Sequence, residues 1–216
     1  MRRALFLVAV AGLAALASPA GSAAHQGDPH YRSEVKRVAP SAAGGGISVR
    51  ALGFDDRLEL TNRSGRAVVV RGYEGEPYAR VLADGTVQAN LNSPAYYVND
   101  DRFGRAKVPA GIGPDLPPRW KTLDRTGVFS WHDHRAHWMG NGTPPQVGDE
   151  SRRTKIFDYR VPLRVDGRPA AIVGSLYWVG VTNGPPMPVP AIVALVVAAV
   201  LAVGAALVVR RRRRAG

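Results

Sequence analysis

The chain has 216 residues, no cysteine, and 29 lysines and arginines against 17 acidic residues, which gives a net charge of +12. This length accommodates one domain with targeting segments, and a hydrophobic fraction of 45% is too high for a disordered chain. The absence of cysteine excludes a disulfide framework, Cys-ligated zinc, iron–sulfur clusters and a thiol nucleophile.

The N terminus has the pattern of a secretory signal peptide over residues 1–24. Arg2 and Arg3 form a basic segment, residues 4–16 are apolar, and small residues at 22–24 resemble a cleavage site. The apolar stretch is shorter than a membrane span requires, so we predict that it is removed. Cleavage after residue 24 would make His25 the first residue of the mature protein.

Residues 25–46 are predicted to form an N-terminal arm and linker, because small residues at 41–46 precede the first clear strand pattern. Residues 47–183 show strand patterns and no convincing helix. Short antiparallel strands separated by turns predict a mainly β domain, an antiparallel Ig-like β-sandwich.

Three hairpins are predicted within this domain, each as two apolar stretches joined by turn residues. The turns lie at 62–65, 84–85 and 166–167. The strands they join are 58–60 with 67–71, 79–82 with 86–88, and 155–165 with 169–181. Two long loops rich in glycine and proline, 108–120 and 140–150, flank the most unusual segment of the chain.

That segment, residues 130–139, contains three of the five histidines, His132, His134 and His137, and ends in Met139. Neutral imidazoles are common ligands of copper and zinc, and a thioether suits Cu(I). On a strand, His132 and His134 would point to the same face. We therefore predict a candidate metal site for copper or zinc at these four residues, to which His25 would add a ring and an amine as the first residue.

Two alternatives stay open for the same segment. The histidines can belong to a structural network in which Asp133, Arg135, Trp131 and Trp138 hold the segment against the neighbouring loops. Alternatively, His134 or His137 can act as the base of an envelope hydrolase, although the chain contains no Gly-x-Ser-x-Gly motif.

The tyrosines are a second group that the sequence leaves open. Tyr96 and Tyr97, with Tyr73 and Tyr78, form either an exposed recognition patch or the edge of the core. The burial habits of aromatic residues favour the core edge.

The C-terminal region has the pattern of a membrane anchor. Residues 189–209 are uncharged, and as a helix their length matches a hydrocarbon core of about 30 Å. Residues 184–188 form a juxtamembrane linker and residues 210–216 a basic tail. The positive-inside rule then predicts a single-pass protein of the cell membrane, bound to the lipid bilayer through residues 189–209, with the body outside and the C terminus in the cytoplasm. The residues that set this topology are Arg210, Arg211, Arg212, Arg213 and Arg214.

This layout explains the net charge. Two positive charges lie in the signal peptide and five in the tail, while all the acidic residues lie between them, so the central region has a net charge of only +5. Such a charge is ordinary for a protein surface, and no nucleic-acid partner is predicted.

Three features together resemble a family of uncharacterised bacterial exported membrane proteins: the segment 131–139, the hairpin 159–167 and the C-terminal anchor. The resemblance implies an exported, C-terminally anchored protein and no particular activity. The domain is also faintly similar to periplasmic copper-carrying β-sandwiches, from which it departs by lacking a methionine-rich loop.

The predicted function is that of a non-catalytic binding or scaffolding module of the bacterial cell envelope. Its partner would be an unidentified envelope protein or a metal ion. The alternatives are a copper- or zinc-handling protein that uses His132, His134 and His137, and an envelope hydrolase.

Overall fold

The computed structural model describes residues 27–180 and, nearer the C terminus, residues 196, 197, 200, 201, 203, 204, 207 and 210–213. The chain separates into two compact units, Met1–Gly180 and Val181–Gly216. All the strands described below belong to the first unit.

Within residues 27–180, the first unit consists of strands and two short helical segments. The helical segments are a 3₁₀ turn at Ser41–Ala43 and the α-helix α1 at Pro94–Val98. The strands are β1 Tyr31–Ala39, β2 Ile47–Leu52, β3 Arg57–Asn62, β4 Val68–Arg71, β5 Pro77–Val81, β6 Val87–Asn90, β7 Trp120–Asp124, β8 Val128–Trp131, β9 Thr154–Val165 and β10 Arg168–Trp178.

The strands form two antiparallel sheets, so the prediction of a mainly β, antiparallel, sandwich-like domain is confirmed. The larger sheet has seven strands in the order β1-β10-β9-β4-β5-β6-β7, and the smaller has three in the order β2-β3-β8. An Ig-like sandwich of the smaller type divides its strands four and three. The seven-and-three division therefore corrects the Ig-like detail of the prediction.

The core lies between the two sheets and follows the two-residue period of the strands. In β3, Leu58 and Leu60 are fully buried, while β4 buries Val68 and Val70. The long strand β9 alternates buried and exposed residues over its second half. Apolar side chains from both sheets thus form one cluster.

Two of the predicted hairpins are confirmed. Strands β5 and β6 pair around the turn at Gly85, and β9 pairs with β10 along almost their full lengths. In the turn between β9 and β10, both central residues have positive φ, 46° at Asp166 and 74° at Gly167. This is the backbone of a type I′ turn, which matches the right-handed twist of the flanking strands.

The first predicted hairpin is wrong. Strand β3 pairs with β2 and β8 in the small sheet, whereas β4 pairs with β5 and β9 in the large one. The turn at 62–65 therefore carries the chain from one sheet to the other. Turn residues show that the chain changes direction, but they do not specify which strands pair afterwards.

Residues 31–39 also differ from the prediction, because they form an edge strand where an arm was expected. Strand β1 pairs with β10 from Tyr31 to Ala39, with a register shift between Val35 and Arg37. A bulge of this kind breaks the alternation of apolar and polar residues, which is the signal that identifies a strand in sequence.

The predicted membrane anchor requires a correction. A span needs about 20 consecutive apolar residues in one helix. None of the helices within the described residues is long and apolar enough to cross a membrane. The transmembrane helix over 189–209 was inferred from apolar composition, which does not by itself supply a continuous helix. The predictions of a transmembrane helix and of a single-pass membrane location are therefore withdrawn.

Other predictions about the ends of the chain fall outside the described residues. These are the signal peptide at 1–24, His25 and the linker at 184–188. In the basic tail, residues 210–213 are helical and exposed, and Arg214 is outside the described set.

Candidate functional site

The histidine segment lies where the edge strand β8 ends. Trp131 is the last residue of the strand, and the chain then turns, with the Ala136 amide donating to the Asp133 carbonyl at 2.8 Å. His132 and His134 are therefore loop residues. The expectation that strand geometry places them on one face does not apply.

Asp133 and Arg135 anchor this loop. The Arg135 guanidinium binds both oxygens of the Asp133 carboxylate, which also accepts a hydrogen bond from Trp131 Nε1 at 2.8 Å. The same guanidinium donates to the carbonyl of Arg71 at 3.2 Å and lies over the Tyr73 ring. These contacts tie the loop to the end of β4.

Each of the three histidines places one ring nitrogen against a backbone carbonyl. His132 Nδ1 lies 2.8 Å from the Asp56 carbonyl, His134 Nε2 lies 3.0 Å from that of Asp101, and His137 Nδ1 lies 3.2 Å from that of Trp138. A carbonyl accepts only, so these nitrogens carry the proton in the neutral rings. The opposite nitrogens carry the lone pairs, and His137 Nε2 is buried without a hydrogen-bond partner.

The two histidines furthest along the loop are adjacent. The rings of His134 and His137 meet edge to face with centroids 5.4 Å apart, and His134 also stacks on Tyr73. Gly104 packs against His134: a Cβ built there would lie 2.8 Å from His134 Cε1 and 3.6 Å from the methyl carbon of Met139. Met139 itself is 40% exposed.

A buried ion-pair network lies close to these rings. Arg102 donates to Asp55 at 2.8 Å and to Asp56 at 3.0 Å, and all three side chains are largely buried. Burial raises the pKa of Asp55, and the Arg102 cation opposes that rise. Burial, with the Arg102 charge, lowers the pKa of His137 to about 4, and burial also lowers the pKa of His134. At neutral pH both rings are uncharged.

These positions bear on the metal and hydrolase hypotheses. Among residues 27–180, no three or more His, Asp or Glu side chains are grouped so that they could hold a metal ion. Within the same range, none of the three rings hydrogen-bonds a serine or threonine hydroxyl.

Trp138 Nε1 donates to the Gly142 carbonyl at 3.0 Å, a contact that closes the following loop on itself.

A cavity of about 380 Å³ lies between the edge strand β8 and the β5–β7 side of the large sheet. Its aromatic lining includes tyrosines that the sequence suggested as a patch or core edge. The lining residues are Arg57, Tyr78, Ala89, Tyr96, Tyr97, Asn99, Asp100, Ala106, Lys107, Leu123, Phe129, Ser130, Trp131 and His132. They come from several separate stretches of the chain, chiefly 96–107 and 129–132, so no single local motif predicts the cavity.

Asn99 is the least satisfied polar group of the lining. Its side chain is 5% exposed, and its Oδ1 accepts a hydrogen bond from the Tyr73 hydroxyl. Its Nδ2 is enclosed by protein and has no close hydrogen-bond partner, but it lies beside the Tyr78 hydroxyl. Burial raises the pKa of Tyr78, and the Asn99 side chain opposes that rise. The nearest acceptor for this nitrogen is therefore the Tyr78 oxygen and not a ligand in the cavity.

Comparison with known proteins gives no match to a family model, to a curated protein or to a solved structure. The resemblance to exported bacterial proteins therefore stays a prediction.

Proposed function

We propose that this protein is a non-catalytic binding module that holds a small ligand in the cavity beside β8. The observation that carries the proposal is the combination of a cavity of about 380 Å³, an aromatic wall and two cationic side chains, Arg57 and Lys107. Ligand sites are typically concave, between about 300 and 1,000 Å³, mostly apolar, and equipped with a few polar groups that orient the ligand.

A purely structural role explains the loop but leaves the cavity unexplained. Asp133 and Arg135 satisfy one another, and the histidines are held by carbonyls. Lys107, in contrast, lines the cavity and forms no ion pair within residues 27–180. A ligand with an acceptor group would give this cation a partner.

The test uses a substitution that places a large side chain in the cavity and leaves the core residues unchanged. Ala106 is a half-buried loop residue of the lining, while Ala110 is exposed and does not line the cavity. We expect small ring compounds to shift the amide resonances of lining residues in the wild type and in Ala110→Trp, but not in Ala106→Trp. Shifts that persist unchanged in Ala106→Trp, or no shifts in any protein, would contradict the proposal.

A second candidate function, the handling of Cu(I), is favoured by one observation. The unprotonated nitrogens of His134 and His137 belong to adjacent neutral rings whose other nitrogens contact carbonyls, as is usual for metal-bound histidines. Met139 lies next to the same glycine as His134 and would add a thioether.

Competition titration with a chromogenic Cu(I) chelator distinguishes this candidate. It predicts loss of Cu(I) binding in His134→Ala and in His137→Ala. Binding should be unchanged in His132→Ala, because that ring contacts the Asp56 carbonyl in the turn between β2 and β3. Equal effects of all three substitutions, or no Cu(I) binding by the wild type, would rule out this site.

A further inference from the structure

We infer that the cavity takes a small ring compound that carries a carboxylate. The inference rests on the proposed function and adds the chemical class of the ligand, which follows from the shape, the charge and the hydrogen-bonding groups of the lining.

The shape of the lining favours a ring. Tyr78, Phe129 and Trp131 are buried and pack on one another, with ring centroids 5.7 Å apart for the first pair and 5.1 Å for the second. Tyr96 and Tyr97 are half-buried and meet edge to face on helix α1. Flat aromatic walls bury large apolar area and pack well against another ring.

The charge of the lining favours an anion. Arg57 and Lys107 contribute two cations, and Asp100 contributes one exposed carboxylate. Arg57 contacts Asp56 through Nε alone, 3.6 Å from Oδ2. The carboxylate offsets part of the Arg57 charge, while the other two guanidinium nitrogens keep donors for a ligand. Lys107 forms no ion pair within residues 27–180.

The hydrogen-bonding groups select the kind of anion-bearing ligand. Arg57 and Lys107 donate only, so they require acceptor oxygens and reject an ammonium group. A carboxylate supplies acceptor oxygens and the opposite charge at the same time. A neutral alcohol of the same size accepts a hydrogen bond but does not balance the cations.

The experiment titrates the full chain with benzoate, benzyl alcohol and benzylamine and follows lining resonances. We expect benzoate to bind with a Kd between about 10 µM and 1 mM, at least about 10-fold tighter than benzyl alcohol, and benzylamine not to bind. Lys107→Gln should weaken benzoate about 3- to 10-fold and leave benzyl alcohol unchanged. Lys121→Gln, an exposed lysine of β7 that does not line the cavity, is the matched control.

The outcomes separate the inference from the proposed function. If benzyl alcohol binds as tightly as benzoate and Ala106→Trp abolishes both, the carboxylate class is wrong and the binding module stands. If no ring compound binds, both fall. If Lys121→Gln weakens benzoate as much as Lys107→Gln does, the anion is attracted by general surface charge, and the inference is overturned.

Discussion

The guanidinium of Arg135 closes on both oxygens of the Asp133 carboxylate, with Nε 2.8 Å from Oδ1 and Nη2 2.8 Å from Oδ2. The carboxylate is fully buried and the guanidinium largely so. The pair sits within two residues of His132, His134 and His137, so it fixes the loop on which all three histidines lie. The polar residues of the histidine segment thus support one another before any ligand is considered.

Arg135→Ala should destabilise the fold by about 3–5 kcal/mol, because it leaves the Asp133 carboxylate buried and unpaired. Arg135→Lys should recover only part of this loss, since an ammonium cannot reproduce the two parallel hydrogen bonds. Urea unfolding followed by tryptophan fluorescence measures both. Arg160→Ala, at an exposed position of β9, should stay within about 0.5 kcal/mol of the wild type. A loss below 1 kcal/mol in Arg135→Ala would show that the pair is not structural.

Arg102 pairs with two buried carboxylates. The stability lost when Arg102 is replaced should be partly restored by a second substitution. Arg102→Met leaves Asp55 buried beside Asp56 and should cost about 3–5 kcal/mol. Asp55→Asn should offset part of that cost in the double variant, because it removes a carboxylate whose pKa burial already raises. A double-mutant cycle in urea gives the coupling energy. Additive effects would mean that the two groups do not interact as the structure shows.

The fold should lose stability as the pH falls from 6.5 towards 4. His137 protonates near its ordinary pKa of 6.5 in the unfolded chain but only near about 4 in the folded one. Its contribution is therefore fully present above pH 6.5 and is lost as the pH approaches the folded value, by up to about 3 kcal/mol. The lowered pKa of His134 acts in the same direction.

Unfolding free energies measured at pH 7.5 and at pH 4.5 check this dependence. His137→Leu removes the buried imidazole, so its stability should change less between the two pH values than that of the wild type. An identical pH dependence in the variant would show that His137 is not the titrating group.

The sequence predicts local features of this fold well and distant ones poorly. The hairpin of β9 and β10 can be predicted from the alternation of apolar and polar residues in β9 and from the turn residues Asp166 and Gly167. Both signals arise from neighbouring residues. The pairing of β3 with β8 joins residues about seventy positions apart, and nothing local marks it. The bulge at Val35 in β1 similarly hides an edge strand.

The candidate site follows the same rule. The contact between Asp133 and Arg135 spans two residues, and the sequence suggested it as part of a network. The cavity joins residues from two strands, a helix and a loop, so it forms only when the sheets are packed. These residues include Arg57, Trp131, Tyr97 and Lys107. The tyrosines were visible in sequence, but their arrangement around Asn99 was not.

The most direct test of the account is calorimetric titration of benzoate into the wild-type chain and into Ala106→Trp. The account predicts saturable binding to one site in the wild type and no heat of binding in the filled variant. Equal binding by both proteins, or none by the wild type, would contradict the claim that the cavity beside β8 is a ligand site.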